Sequence, residues 1–182
     1  PWQQAMPREA FVDGTIFDDL RSAADRAHAL GLHVWFRLLQ PALPHWVDDE
    51  GGLSDRRTAA THWPRWVELA ADELGDHADG WVPFEAPNAM ANRLEPDDAR
   101  RHGELVQHLL VAWRDAWRIL RGPRPVISSL DTAVNGPTTW LTAFRDGVMR
   151  VPGRLERRLD DLAGSFDVVG IATRSDFSQL LE

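Results

Sequence analysis

"WPRWVELAADELGDHADGWVPFE", residues 63–85, changes its hydrophobic period partway along. In its first half Trp63, Trp66, Val67, Ala70, Ala71 and Leu74 recur at i, i+3, i+4 and i+7, the apolar face of an amphipathic helix. Gly75 ends that pattern, as glycine does just past a helix. "WVPFE", 81–85, then reads as a strand, with Pro83 denying it one ladder donor. A helix that runs through a short turn into a strand is half of a β/α unit. Ser54 or Asp55 offers an N-cap where this helix starts.

The same unit continues on both sides. Residues 15–30 place Phe17, Leu20, Ala24 and Ala27 on one helical face, and Gly31 follows. "LHVWFRLL", 32–39, is an apolar run of strand length in which Trp35 is expected in the core. Pro41, Pro44 and "DDEGG" at 48–52 mark a loop, and 88–96 is expected to be another. A long helix from Asp97 to Arg121 buries Leu105, Leu109, Ala112, Trp113, Ala116 and Leu120, and Gly122 and Pro123 terminate it. "PVISSL", 125–130, is the third strand, short helices fit 138–148 and 154–163, and "FDVVGIA", 166–172, is the last strand.

Strands alternating with helices imply α/β architecture, a parallel sheet with right-handed crossovers. A doubly wound sheet and a (β/α)8 barrel both satisfy the pattern. No glycine-rich fingerprint follows any strand, which disfavours a dinucleotide fold. A full barrel takes about 250 residues, so four strands make a partial (β/α)8 barrel, here a single domain over 1–182.

Composition excludes several chemistries. All 20 basic residues are Arg, so there is no lysine for a Schiff base or a phosphate loop. Cysteine is absent, which removes thiol nucleophiles, zinc-thiolate sites and disulfides. The net charge of −8 repels phosphate backbones and argues against nucleic acid as a partner. No stretch is long and apolar enough to span a membrane, and a cytoplasmic location is expected. None of the seven His forms a tight ligand pair; solvated surface histidines and no metal are expected. No cofactor motif is present.

Residues 80–92, "GWVPFEAPNAMAN", resemble the fourth-strand signature of family-1 glycoside hydrolases, the β-glucosidase family. The resemblance extends to "PWQQAMPREAFVD" at 1–13, "LPHWVDDEGGL" at 43–53 and "GSFDVVGIATRSDF" at 164–177. It implies that the four strands correspond to the family's third through sixth. It also implies a carbohydrate or glycoside ligand at the strand C-terminal ends. The departures fall on the chemistry. Where the family has Asn-Glu-Pro, with Glu as general acid/base, this chain has Glu85, Ala86 and Pro87. A sugar-binding His is replaced by Gln40, an Asn by Asp131, and Asn-Tyr-Tyr by Ala172, Thr173 and Arg174. The Thr-Glu-Asn-Gly nucleophile motif does not occur.

A retaining glycosidase needs two carboxyls about 5–5.5 Å apart. Neither stands at its expected place, so little or no hydrolysis is expected. Glu85 has two readings: a carboxylate paired with Arg37 or Arg174, or a displaced acid/base re-aimed by a bulge. The substrate-facing set implied by the resemblance is Gln40, Trp46, Asn88, Asp131 and Arg174. Two alternatives stay open: an active β-glycosidase completed by segments outside this chain, and a non-catalytic sugar-binding or interaction protein. Four strands leave two sheet edges open, near Val34 and Val169, so self-association or pairing with a missing barrel half is expected.

Overall fold

In the computed structural model the described residues are 2–39, 42–85, 87–95, 98–131, 144–149, 157–158 and 162–172. In chain order the elements are α1 (Trp2–Ala5), α2 (Gly14–Ala29), β1 (Trp35–Arg37), α3 (His45–Asp49), α4 (Arg56–Leu74), β2 (Gly80–Val82), α5 (Pro87–Leu94), α6 (Ala99–Leu120), β3 (Ile127–Asp131), β4 (Val148–Met149), β5 (Arg157–Arg158) and β6 (Val168–Ala172).

The helices start where side-chain acceptors meet orphan backbone donors. Asp13 accepts from Thr15 N at 3.1 Å, Asp55 from Thr58 N at 2.8 Å, and Asp98 from Arg100 N and Arg101 N at 2.9 and 3.0 Å. The N–H donors hold the Asp55 and Asp98 carboxyls below their ordinary range. The apolar face read from 63–74 is the buried face of α4, and that of α6 is buried from Leu105 to Leu120.

β1 pairs parallel with β2, Trp35 opposite Gly80 and Arg37 opposite Val82. β3 pairs parallel with β6, Ile127 opposite Val168. A parallel bridge between Trp81 and Val126, with Trp81 N donating to Pro125 O at 2.9 Å, joins the two pairs. Among the described strands the order is therefore β1-β2-β3-β6, all parallel, with β1 and β6 outermost. The helices cover one side of this sheet.

Three tryptophans fasten helices to one another and to the sheet. Trp63 Nε1 donates to Ala112 O at 2.9 Å, Trp66 Nε1 to Leu38 O at 3.0 Å, and Trp113 Nε1 to Ser165 O at 2.9 Å. Each buries a large ring and still satisfies its one donor. A second device recurs at the strand starts. Asp79 takes the Val34 N–H at 2.6 Å and returns its own N–H to Val34 O at 2.8 Å. Asp167 does the same to Val126, at 2.9 and 3.1 Å. Each carboxylate thus clamps the first residues of a parallel pair.

Four expectations are corrected. Residues 88–96 are not a loop: α5 runs from Pro87, whose fixed φ and missing N–H suit the first helical position. Arg157–Arg158 is not helical but pairs antiparallel with Val148–Met149, and in 138–148 only 144–146 form a described helical turn. Trp35 is not core; it is 38% exposed on the sheet side opposite Phe36, because the side without helices has no described cover. The histidines are not simply solvated: His28 and His33 meet Asp79, His62 meets Glu50, and His77 meets Asp25.

Candidate functional site

The C-terminal ends of parallel strands are where a β/α sheet presents loops and ligand groups. At that end β1 finishes on Arg37. After β2 the chain continues through Pro83, Phe84 and Glu85. Leu38 N donates to Val82 O at 3.0 Å and Leu39 N to Pro83 O at 2.9 Å, so the two segments stay in register past the strands. Phe84 is buried toward the helices, its ring 5.9 Å from Trp63 and 5.6 Å from Trp113 in an edge contact. Successive extended residues point to opposite sides. With Phe84 held in the helix layer, Glu85 is aimed to the other side, where Arg37 stands opposite the buried Leu38.

There Arg37 Nη1 donates to Glu85 Oε2 at 2.5 Å, with both side chains 45% exposed. This is a charge-assisted hydrogen bond at a solvated rim. It sets the two side chains relative to each other more than it stabilises the fold. A general acid must hand a proton to a leaving group. Glu85 receives a donor from Arg37. Of the two readings of Glu85, the ion pair with Arg37 is the arrangement found.

The other sequence-derived residues fall into three groups. Asn88 lies in the first turn of α5 and Asp131 ends β3 opposite Ala172, both on the same rim as Glu85. Trp46 lies in α3, not in a loop; its Nε1 donates to Met6 O at 2.9 Å and its ring meets His62 at 4.8 Å, edge-on. That indole donor ties the N-terminal segment to α3. Gln40, Ala86, Thr173 and Arg174 lie outside the described residues. Among the described residues no group of three His, Asp or Glu could hold a metal ion, and no helix is long and apolar enough to cross a membrane.

Sequence reading missed a polar ladder at the opposite end of the strands. Arg21, Asp25 and His28, spaced i, i+4 and i+7 on α2, meet Glu73 at 2.5 Å, His77 at 2.8 Å and Asp79 at 2.9 Å. The signal was available as alternating charge along one helical face. Hydrogen bonds to Glu73 and then Asp18 push the Arg21 guanidinium up from its ordinary value. The Val34 N–H, then His28, holds the Asp79 carboxyl down. In barrels this end of the strands serves stability, and catalysis sits at the other.

No protein-family profile matches the sequence, and no curated protein matches it. Solved structures do. The chain is similar to a family-1 β-glucosidase from Exiguobacterium antarcticum at 18% identity, covering 94% of this chain and 48% of that one with a TM-score of 0.80. It is similar to a β-glycosidase from Pyrococcus horikoshii at 17% identity, 94% and 46% coverage and a TM-score of 0.81. A β-glucosidase from Thermotoga maritima, solved with deoxynojirimycin, gives 16% identity, 94% and 48% coverage and a TM-score of 0.79. The chain therefore has the fold of a partial family-1 glycoside hydrolase barrel, and it spans about half the length of the structures it matches.

Proposed function

We propose that this chain is a β-glucosidase-like carbohydrate-binding half-barrel with little or no hydrolytic activity of its own. The observation that carries the proposal is the Arg37–Glu85 ion pair at the strand ends, beside Ala86 in the place where the resemblance puts an acid/base. Glu85 is aimed at the rim but engaged by Arg37. Positioned proton transfer contributes about 10²–10⁴ in rate, and an unpositioned acid forfeits it. The missing nucleophile motif removes the covalent step as well. A sugar ligand is supported by the similar Thermotoga maritima structure, which carries deoxynojirimycin. The groups described at that rim are Arg37 and Glu85, with Gln40, Asn88, Asp131 and Arg174 proposed from the sequence.

A second reading is favoured by the coverage of about half of each similar structure. The remaining strands, with a nucleophile, would then come from segments outside this chain. The two readings share one consequence for the isolated chain, which lacks the nucleophile motif in either case, and part only once the outside segments are supplied, when the second expects turnover. Hydrolysis of aryl β-glucosides is therefore expected near background. The Glu85→Gln variant should leave that background unchanged, and the Glu85→Asn, Ala86→Glu double variant should remain inactive in the isolated chain. Ordinary glycosidase turnover abolished by Glu85→Gln would make Glu85 a displaced catalyst. Activity gained by the double variant would reveal a nucleophile on this chain.

A further inference from the structure

α4 and α6 pack side by side, and Trp63 Nε1 on Ala112 O fixes how they meet. Beside that contact the two helices leave a groove of about 190 Å³ that shares no residue with the Arg37–Glu85 rim. Ala59, Val111 and Ala112 give it an apolar floor, with Ala59 and Ala112 buried. The volume is close to the roughly 150 Å³ cavity that accepts a benzene ring. It is well below the roughly 300–1,000 Å³ of drug-sized sites.

The polar wall consists mostly of donors. Arg56 opens α4, is exposed, and has no ion-pair partner among the described residues. Arg114 stands on α6 and holds Asp115 Oδ1 through Nε at 3.1 Å and Nη2 at 3.0 Å. Asp115 also lies 3.9 Å from Arg118, so one carboxylate serves two guanidiniums. His108 lines the groove with its Nδ1 buried and without a hydrogen-bond partner among the described residues. An orphan N–H in a buried spot is rarer and costlier than a bare nitrogen, which leaves Nε2–H as the donor this ring offers. The carboxylates nearest His108 are engaged elsewhere. Asp55, within electrostatic reach of it, accepts from Thr58 N at 2.8 Å, and Glu104, one turn before it, pairs with Arg100 at 3.3 Å. The groove therefore sets two guanidiniums against one carboxylate, in a chain of net charge −8.

We propose that this groove binds a small organic oxyanion, a carboxylate or phosphate monoester whose body is no larger than one ring. Arg56, the unmatched guanidinium, takes the anionic head, since its planar fork of donors suits such oxygens. Arg114 and the His108 N–H add positive field from the α6 wall, and the body lies on Ala59, Val111 and Ala112. The site stands whether or not the rim binds a sugar.

Titration calorimetry of the full 182-residue chain with benzoate, phenyl phosphate and inorganic phosphate tests this, with the His108 ring followed by NMR to locate binding. Benzoate or phenyl phosphate should saturate one site and shift the His108 ring resonances. Inorganic phosphate, which has no body to bury, should bind about tenfold more weakly. Which ring compound binds tighter tells a carboxylate ligand from a phosphate one. Arg56→Ala should weaken binding about tenfold, the loss of a charge-assisted hydrogen bond. Arg65→Ala makes the same charge change elsewhere on α4 and should leave binding unchanged. Ala60→Phe fills the groove from its exposed wall with no change of charge and should abolish binding. Arg56, Ala60 and Arg65 are all exposed, so these variants keep the fold. No saturation by any of the three anions, inorganic phosphate binding as tightly as the ring compounds, equal affinity for neutral benzyl alcohol, equal loss in Arg56→Ala and Arg65→Ala, or binding that leaves the His108 ring unshifted would each overturn the proposal.

Discussion

Trp113→Ala is the perturbation that most directly tests how the rim is positioned. Trp113 is fully buried at the middle of α6, donates to Ser165 O, and meets Phe84 and Phe144 at 5.6 Å each. Truncating a buried tryptophan costs about 3–5 kcal/mol in transfer and cavity energy. Part of that loss is the two aromatic pairs, worth about 0.5–1.5 kcal/mol each beyond their burial. The Ser165 carbonyl is then left without its donor, which costs about a further 1–3 kcal/mol unless water enters. A total of about 4–8 kcal/mol is expected, a large share of the roughly 5–15 kcal/mol that holds a domain folded. Trp113→Phe keeps a ring and loses the donor, and should cost about half as much. Urea unfolding at fixed protein concentration measures both, fixed because any association shifts apparent stability by mass action. Trp117→Ala, on the partly buried side of the same helix, is the control and should cost less. A Trp113→Ala loss below about 1 kcal/mol would refute the view that this indole fastens α6 to the sheet and seats Phe84.

Two further outcomes follow from the clamps and the strand contact. Asp79 has its folded-state pKa lowered from an ordinary 3.8 by the Val34 N–H and then His28. Its stabilisation is therefore present above that ordinary value and lost as pH falls through the lower folded one. Asp79→Asn should be less stable than the unmodified chain at pH 7, with the gap closing in acid; a gap in urea midpoint that is constant with pH would remove Asp79 as the cause. At Gly80 an added Cβ would fall 2.1 Å from the Trp35 ring, so Gly80→Ala should destabilise, and Trp35→Ala should relieve part of the cost with a coupling of about 1 kcal/mol. Strict additivity in that double-mutant cycle would mean the ring is not what Gly80 accommodates.

Periodicity and helix stops were enough to place α2, α4 and α6, because each is long, amphipathic and bounded by its own cap or glycine. The same local signals gave an α/β alternation, and the spaced motifs narrowed it to part of a glycosidase barrel. Short elements escaped. α5 has only two turns and opens on a proline, so its sequence looks like a loop, and β4 and β5 are two residues each, too short for any period to register. The exposure of Trp35 was equally hidden, because alternation tells which side chains share a face and not whether that face is covered. Sequence alone determined that position 86 offers no ionisable group in any fold, since it is Ala. It also determined that no lysine or cysteine chemistry exists on this chain. Only tertiary structure decided the state of Glu85. Its partner Arg37 is 48 residues away along the chain, and the pair meets because parallel register sets Arg37 opposite Val82 while Trp63 and Trp113 hold Phe84 into the core. A contact between segments so far apart depends on packing that no local pattern encodes.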